Sequence, residues 1–329
     1  MMWITWRRYR VRIILMALYV FALIVFMIIT EHAYQSALSS CGFRPTGTQL
    51  SACSGVISGA KSRASYVVDG LQILPFLIGL ILGTPLIASE LEAKTNRLAW
   101  AQGVTRTRWL LMSWLTLVIS VVIAMSLLAP IIQWWLTHVH ASDFVGTSLI
   151  QSNQFSISGV APIAAAVFAL SFGACAGALW GRVSWSVAAT LVGLWLVLGG
   201  MMGWIVPSLA PQVAVPLSAA KLPSSLGWLV SAGVRRNPVV HVGSHTSSVT
   251  AIVQHCANIA NSSPNMQSGG GNESLVYLNC LKSHGVQAVD FYQPASHYWI
   301  LQWREAGVYL VLVAALLGLS VWVVRRRRA

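Results

Sequence analysis

The chain has 329 residues, 56% of them hydrophobic and only 9% charged, yet its formal net charge is +13. That balance excludes an ordinary soluble enzyme and fits a polytopic membrane protein. No basic domain stands clear of the apolar segments, so nucleic acid is excluded as the partner of the positive charge.

WITWRRYRVR at 3–12 mixes tryptophan with arginine. It reads as a short helix lying in the cytoplasmic interface, or equally as an aromatic belt with basic anchors. It leads into the first of six apolar stretches, 13–30, 71–89, 110–135, 159–180, 187–206 and 306–324. Each is about long enough to cross a bilayer, and only helices satisfy their own backbone at such lengths in lipid. The first stretch is too long for the apolar region of a cleaved signal. The polar TEHAYQSA also separates it from LSSC at 38–41, which argues against a lipoprotein cleavage box.

GVISGAKS at 55–62 comes near a phosphate-binding loop, but Ala60 stands where that loop needs glycine and no apolar strand precedes it. The connector 89–109 is dense in charge and rich in helix formers, with Leu91, Leu98 and Trp100 spaced as an amphipathic helix requires. GRVSW at 181–185 joins the fourth and fifth spans as a tight hairpin.

The region 207–304 opens with an apolar segment whose prolines at 207, 211, 216 and 223 forbid one continuous helix. That segment is expected to pack against the outer membrane rim or dip into it, with a soluble domain as the alternative. From Arg235 to Asp290 the chain is polar enough for a small lobe. The resulting division is 1–206 for five spans and the connector, 207–304 for an external region, and 305–329 for the sixth span and a basic tail.

Charge orients this layout. Arg7, Arg8, Arg10 and Arg12, then Lys94, Arg97, Arg106 and Arg108, then Arg182, then Arg325 to Arg328 all fall on one side, which carries 13 of the 21 basic residues on short segments. The positive-inside rule therefore puts both termini in the cytoplasm. Cys41 and Cys53 fall in the first external loop and Cys256 and Cys280 in the last, leaving only Cys175 in a span. Two even sets on the oxidising side suggest one disulfide in each loop.

The spans carry little obvious chemistry. Gly79 and Gly83, Gly173 and Gly177, and Gly199 and Gly203 lie four apart, a spacing that permits close helix packing within one chain or between two copies. None of the eight acidic residues stands near the centre of a stretch, with Glu31, Asp69, Glu90 and Glu305 at helix ends. Ion-coupled carriers need such groups deep in the bilayer, so an apolar or amphipathic cargo moved by an external energy source fits better. His241, His245, His255, Cys256 and His284 share the last loop. Without a carboxylate or CxxC pattern they read as solvated histidines around a structural cysteine, not as a metal centre.

Two motifs carry a resemblance. ELEAKTNRLAWAQGVTRTRWL at 90–110 and FYQPASHYWILQWREAGVYL at 291–310 resemble segments of the six-span permease subunits of ABC exporters in the ABC-2 superfamily, particularly those of actinobacteria. The resemblance implies a cytoplasmic coupling helix that docks on a separate ATPase subunit. Carried onto this chain, the contact residues would be Glu90, Glu92, Thr95, Arg97, Leu98, Trp100, Gln102, Arg106, Arg108 and Trp109. It further implies two ATPase copies, which would bind ATP and Mg, no catalytic site or cofactor in this chain, and a second, identical permease chain.

The expected fold is therefore an all-α integral membrane protein of six helices, with a disulfide-stapled external region before the last. The expected cargo is a drug, antibiotic, peptide or lipid. A membrane receptor or immunity protein that binds an external ligand without transport is the competing class.

Overall fold

The computed structural model describes residues 2–41, 48–92, 105–140, 152–216, 227–236, 249–262 and 272–326. They divide into two compact units, one of Met1–Leu209 with Trp299–Ala329, the other of Ala210–Tyr298.

The first unit is helical. Its elements are α1 (Met2–Cys41), α2 (Thr48–Leu77), α3 (Thr84–Glu92), α4 (Arg106–His140), the short α5 (Ser152–Phe155), α6 (Ala161–Trp180), α7 (Val183–Gly200), the single turn α8 (Val206–Ser208) and α11 (Tyr298–Arg326). A π-helical stretch, Ile78–Gly83, joins α2 to α3, and another, Met201–Ile205, joins α7 to α8. Six helical runs among the described residues are long and apolar enough to cross a membrane: Arg10–Ala37, Ser58–Ser89, Thr107–Val139, Ala161–Trp180, Val183–Ser208 and Ala295–Arg326.

Residues 3–12 are not a separate element. They are the first turns of α1, whose 40 residues extend about 60 Å, roughly twice the hydrocarbon thickness of a bilayer.

Side-chain burial follows helical period. On α1 Met16, Leu23, Met27, Thr30 and Tyr34 are buried, while Leu15, Leu18, Phe21, Val25 and Ile29 are exposed. On α4 Leu110, Leu117, Val121, Met125, Leu128 and Ile132 are buried against exposed Leu111, Leu115, Ile119 and Ile123. Both faces are apolar. In water the outer face would be an aggregation surface, whereas in lipid it meets its own kind.

α6 differs by being buried nearly all round. Half of its positions are alanine or glycine, so neighbouring backbones reach it closely. It ends at Gly181, whose φ of 64° lets the chain reverse within two residues into α7. Indoles tie spans together by hydrogen bonds: half-buried Trp114 donates its Nε1–H to Ser171 Oγ at 3.0 Å and buried Trp135 donates its Nε1–H to Thr30 Oγ1 at 3.3 Å.

The second unit is not all-α. It holds β1 (Val213–Pro216), β2 (Gly227–Arg236), α9 (Val249–Ser262), α10 (Asn272–Ser283) and β3 (Val286–Pro294). The strands form an antiparallel sheet of order β1-β3-β2, with Val213 opposite Tyr292, Gly227 opposite Pro294 and Arg236 opposite Val286. The prolines that forbid a helix are compatible with strands at a sheet edge: Pro216 ends the outer strand β1, where a missing N–H donor costs no ladder bond. Ile252, Cys256, Leu281 and Val286 form a small core, and Cys256–Cys280 is a disulfide. Cys53 is also disulfide-bonded, while the side chain of Cys41 lies outside the described residues.

Candidate functional site

Five of the six spans converge on a cavity of about 470 Å³ inside the helical unit. α2 contributes Leu71, Gln72 and Pro75, α4 contributes Met125 and Leu128, and the α5–α6 connection contributes Ser156 and Ile157. α7 and the π-helical stretch after it supply Trp195, Gly199 and Gly203, and α11 supplies Glu305 and Tyr309. The wall is mostly aliphatic and aromatic, with a few polar groups at defined points, as in sites for drug-sized molecules.

The polar groups hold the irregular connection between α5 and α6. Gln302 is fully buried; its Nε2 donates to Phe155 O at 3.1 Å, and its Oε1 accepts from the Ala161 N–H at 2.8 Å. Gln72 Nε2 donates to Ser156 Oγ at 3.0 Å. Non-helical backbone between apolar spans is stable only when protein groups satisfy it; Gln302 of α11 does so for Phe155 and Ala161, and Gln72 of α2 ties the Ser156 side chain of the same connection. Pro162 in the first turn of α6 then restarts the helix where its missing N–H is harmless.

α11 carries the charge. It begins at Tyr298, so Glu305 lies two turns inside the helix and is 1% exposed, not at a helix end. Gln302, Glu305, Tyr309 and Val313 fall three or four apart on the buried face. The Glu305 carboxyl is hydrogen-bonded to Tyr309, while its Oε2 has no hydrogen-bond partner among the described residues. The Tyr309 ring lies 5.4 Å from Phe168 of α6, which fixes it against the central helix.

The glycines separate into two groups. Cβ atoms added at Gly79, Gly83 and Gly177 would lie 2.9 Å from Ala169 O, 2.6 Å from Leu170 O and 2.6 Å from Thr84 O, and one at Gly173 would meet Gly79 O. These four make a seam where α6 touches the α2–α3 run backbone to backbone. Gly199 and Gly203 have nothing within 4 Å of such a Cβ and instead line the cavity.

At the other end of the bundle, Glu92 Oε2 accepts from the Val183 N–H at 3.2 Å, placing a carboxylate at the N-terminus of α7. Thr105 precedes α4, with the Arg108 N–H 3.4 Å from its Oγ1, and Arg325 Nε donates to Thr107 Oγ1 at 3.2 Å. Arg108 is exposed, whereas Trp109 is half-buried against the helical core. Glu90 and Arg106 lie in α3 and α4 with side chains outside the described residues, and Thr95, Arg97, Leu98, Trp100 and Gln102 are outside them altogether.

In the second unit His255 and His284 stand edge to face at 6.0 Å. Cys256, Cys280 and His284 cluster within 4.8 Å, but both sulfurs are spent on the disulfide and neither can serve as a thiolate ligand. His241 and His245 lie outside the described residues.

Sequence reasoning missed Gln302, Glu305 and Gln72 as site residues. The signal was present in the periodicity of 298–309: extending the last helix upstream of its apolar run puts Gln302 and Glu305 on the same face as Tyr309 and Val313.

The ABC-2 membrane transporter related family matches residues 13–206, the first five spans. No curated protein and no solved structure shows a significant match to this chain. Because the family match takes in more than half of the 329 residues and ends as the fifth span ends, the chain belongs to the ABC-2 membrane transporter related family, as a permease-type membrane subunit.

Proposed function

We propose that the chain is the transmembrane subunit of an ATP-driven exporter that moves a hydrophobic or amphipathic molecule outward. The convergence of five spans on one largely apolar cavity is the observation that carries this reading, because it gives such a cargo a place inside the bundle. Two chains would pair, and two separate ATPase subunits would bind ATP and Mg at the cytoplasmic face. The distribution of arginine and lysine supports an orientation with both termini there and the cavity in the outer half.

In this mechanism residues 89–109 transmit the closing of the ATPase dimer. The Glu92–Val183 contact supports a mechanical path, since motion of the connector would be passed to the N-terminus of α7, whose far end lines the cavity. Cargo would enter from the cytoplasm or the inner leaflet and leave when the bundle shifts between two packings.

The test is at Trp100 and Arg97. Trp100→Ala removes an aromatic anchor worth about 2 kcal/mol or roughly thirtyfold in partner affinity, and Arg97→Glu adds repulsion if the partner groove is acidic. The expected result is a normally inserted permease that co-purifies poorly with its ATPase, or keeps it without cargo-stimulated ATP hydrolysis. Wild-type affinity and transport in both variants would refute the coupling assignment. A receptor without transport would bind its ligand with no ATPase partner at all.

A further inference from the structure

We propose that the cavity selects lipophilic organic cations carrying a single positive charge, with Glu305 as their counter-charge. This deepens the exporter reading by naming the class of cargo, and it rests on that reading only for the direction of movement. Glu305 is 1% exposed, its Oε2 has no hydrogen-bond partner among the described residues, and it lines the cavity.

None of the described residues lining the cavity is lysine, arginine or histidine. An ionised carboxylate buried without a counter-charge costs several kcal/mol, so the site gains when a ligand brings the missing charge. The other candidates for that charge fit poorly. A divalent cation needs several oxygen ligands, and Glu305 is the one carboxylate among the lining residues. A proton relay needs a chain of titratable groups, and among the described lining residues Glu305 is joined only by the Tyr309 phenol. An anionic cargo would be repelled.

The remainder of the wall suits the rest of such a molecule. A volume of about 470 Å³ holds a drug-sized body. Tyr309 and Trp195 border the cavity with aromatic groups that attract a delocalised cation, and the aliphatic wall receives its hydrocarbon. Gln72 is already engaged with Ser156 and Gln302 with the backbone, so Glu305 alone sets the preference for charge.

The experiment measures binding of tetraphenylphosphonium, and of the neutral triphenylphosphine oxide as a shape control, to the purified full chain in lipid nanodiscs by equilibrium dialysis. Wild type should bind the cation more tightly than the neutral probe. Glu305→Gln should weaken the cation by about tenfold or more, the neutral probe should change less than about twofold, and Glu305→Asp should restore part of the loss. Gly203→Leu, which fills the cavity without touching the carboxylate, should weaken both probes.

Cation binding unchanged in Glu305→Gln, equal loss of both probes in that variant, no binding by wild type, or indifference of both probes to Gly203→Leu would each overturn the proposal. The measurement uses neither ATP nor the ATPase, so its failure is distinct from failure of the exporter reading. That reading would fall if selective binding were intact but no ATPase partner drove transport.

Discussion

In the helical unit backbone meets backbone along the seam where Gly79, Gly83, Gly173 and Gly177 let α6 touch the α2–α3 run. In the sheet unit a core of four buried residues is closed by a covalent bond between α9 and α10. The difference follows from the solvent each is suited to. Between apolar spans in lipid, hydrophobic burial offers little drive, so stability comes from close approach and from a few buried hydrogen bonds. A lobe of about 90 residues with a small core gains more from a cross-link that restricts its unfolded chain.

The seam should be the more fragile of the two. In Gly173→Val the side chain would be driven into the backbone at Gly79 and Thr84, at a cost of about 3 kcal/mol or more. The expected outcome is loss of monodisperse protein in detergent, measured by size-exclusion chromatography of a fluorescent fusion. Gly199→Ala is the control: it faces open space in a helix and should leave the elution profile unchanged. Equal tolerance of both substitutions would show that the seam is not what holds the bundle.

The cross-link comes next. Cys256 and Cys280 are 24 residues apart, so removing the bond with Cys256→Ser and Cys280→Ser together should cost the sheet unit about 3 kcal/mol. Hydrogen exchange should quicken across α9, α10 and β3, while α6 keeps its protection. Faster exchange in α6 would mean that the two units do not unfold separately.

The smallest of the three effects compares two glutamines of one motif, each buried in a different unit. Gln293 Nε2 donates to one backbone group, Ala210 O, at 2.7 Å while its Oε1 pairs with the His297 side chain at 2.9 Å, whereas Gln302 bonds two backbone groups, Phe155 O and the Ala161 N–H. Gln302→Leu leaves two backbone groups without these bonds and should cost about 2 kcal/mol, against about 1 kcal/mol for Gln293→Leu. Thermal shifts in nanodiscs should rank them in that order; the reverse order would place the sheet unit's polar anchor above that of the cavity.

Much of the helical unit was legible in the sequence. Each apolar stretch became a helix, because length and hydropathy suffice where every backbone group must be satisfied locally. The tight turn after α6 was legible in Gly181. The upstream start of α11 was not, since Gln302, Arg304 and Glu305 look like the end of a span until their periodicity is joined to that of Tyr309 and Val313. Buried polar residues are satisfied by partners far along the chain, and no local pattern announces that Gln302 meets Phe155.

The sheet was hidden for the same reason. β1 pairs with β3 more than seventy residues on, and the apolar character of the first strands reads equally as a membrane rim. The glycine spacing located both groups of glycines but could not tell Gly173, which meets backbone, from Gly203, which borders empty space.

The reach of Gln302 has a consequence for how the molecule is made. Its partner Ala161 precedes it by 141 residues, an interval that a ribosome covers in ~7–28 s. Through that time five spans have been synthesised while neither hydrogen bond from Gln302 can form and the cavity lacks the wall that α11 supplies. The cavity therefore lacks one wall until α11 leaves the ribosome, and insertion factors that shelter the five spans before it must wait for that helix.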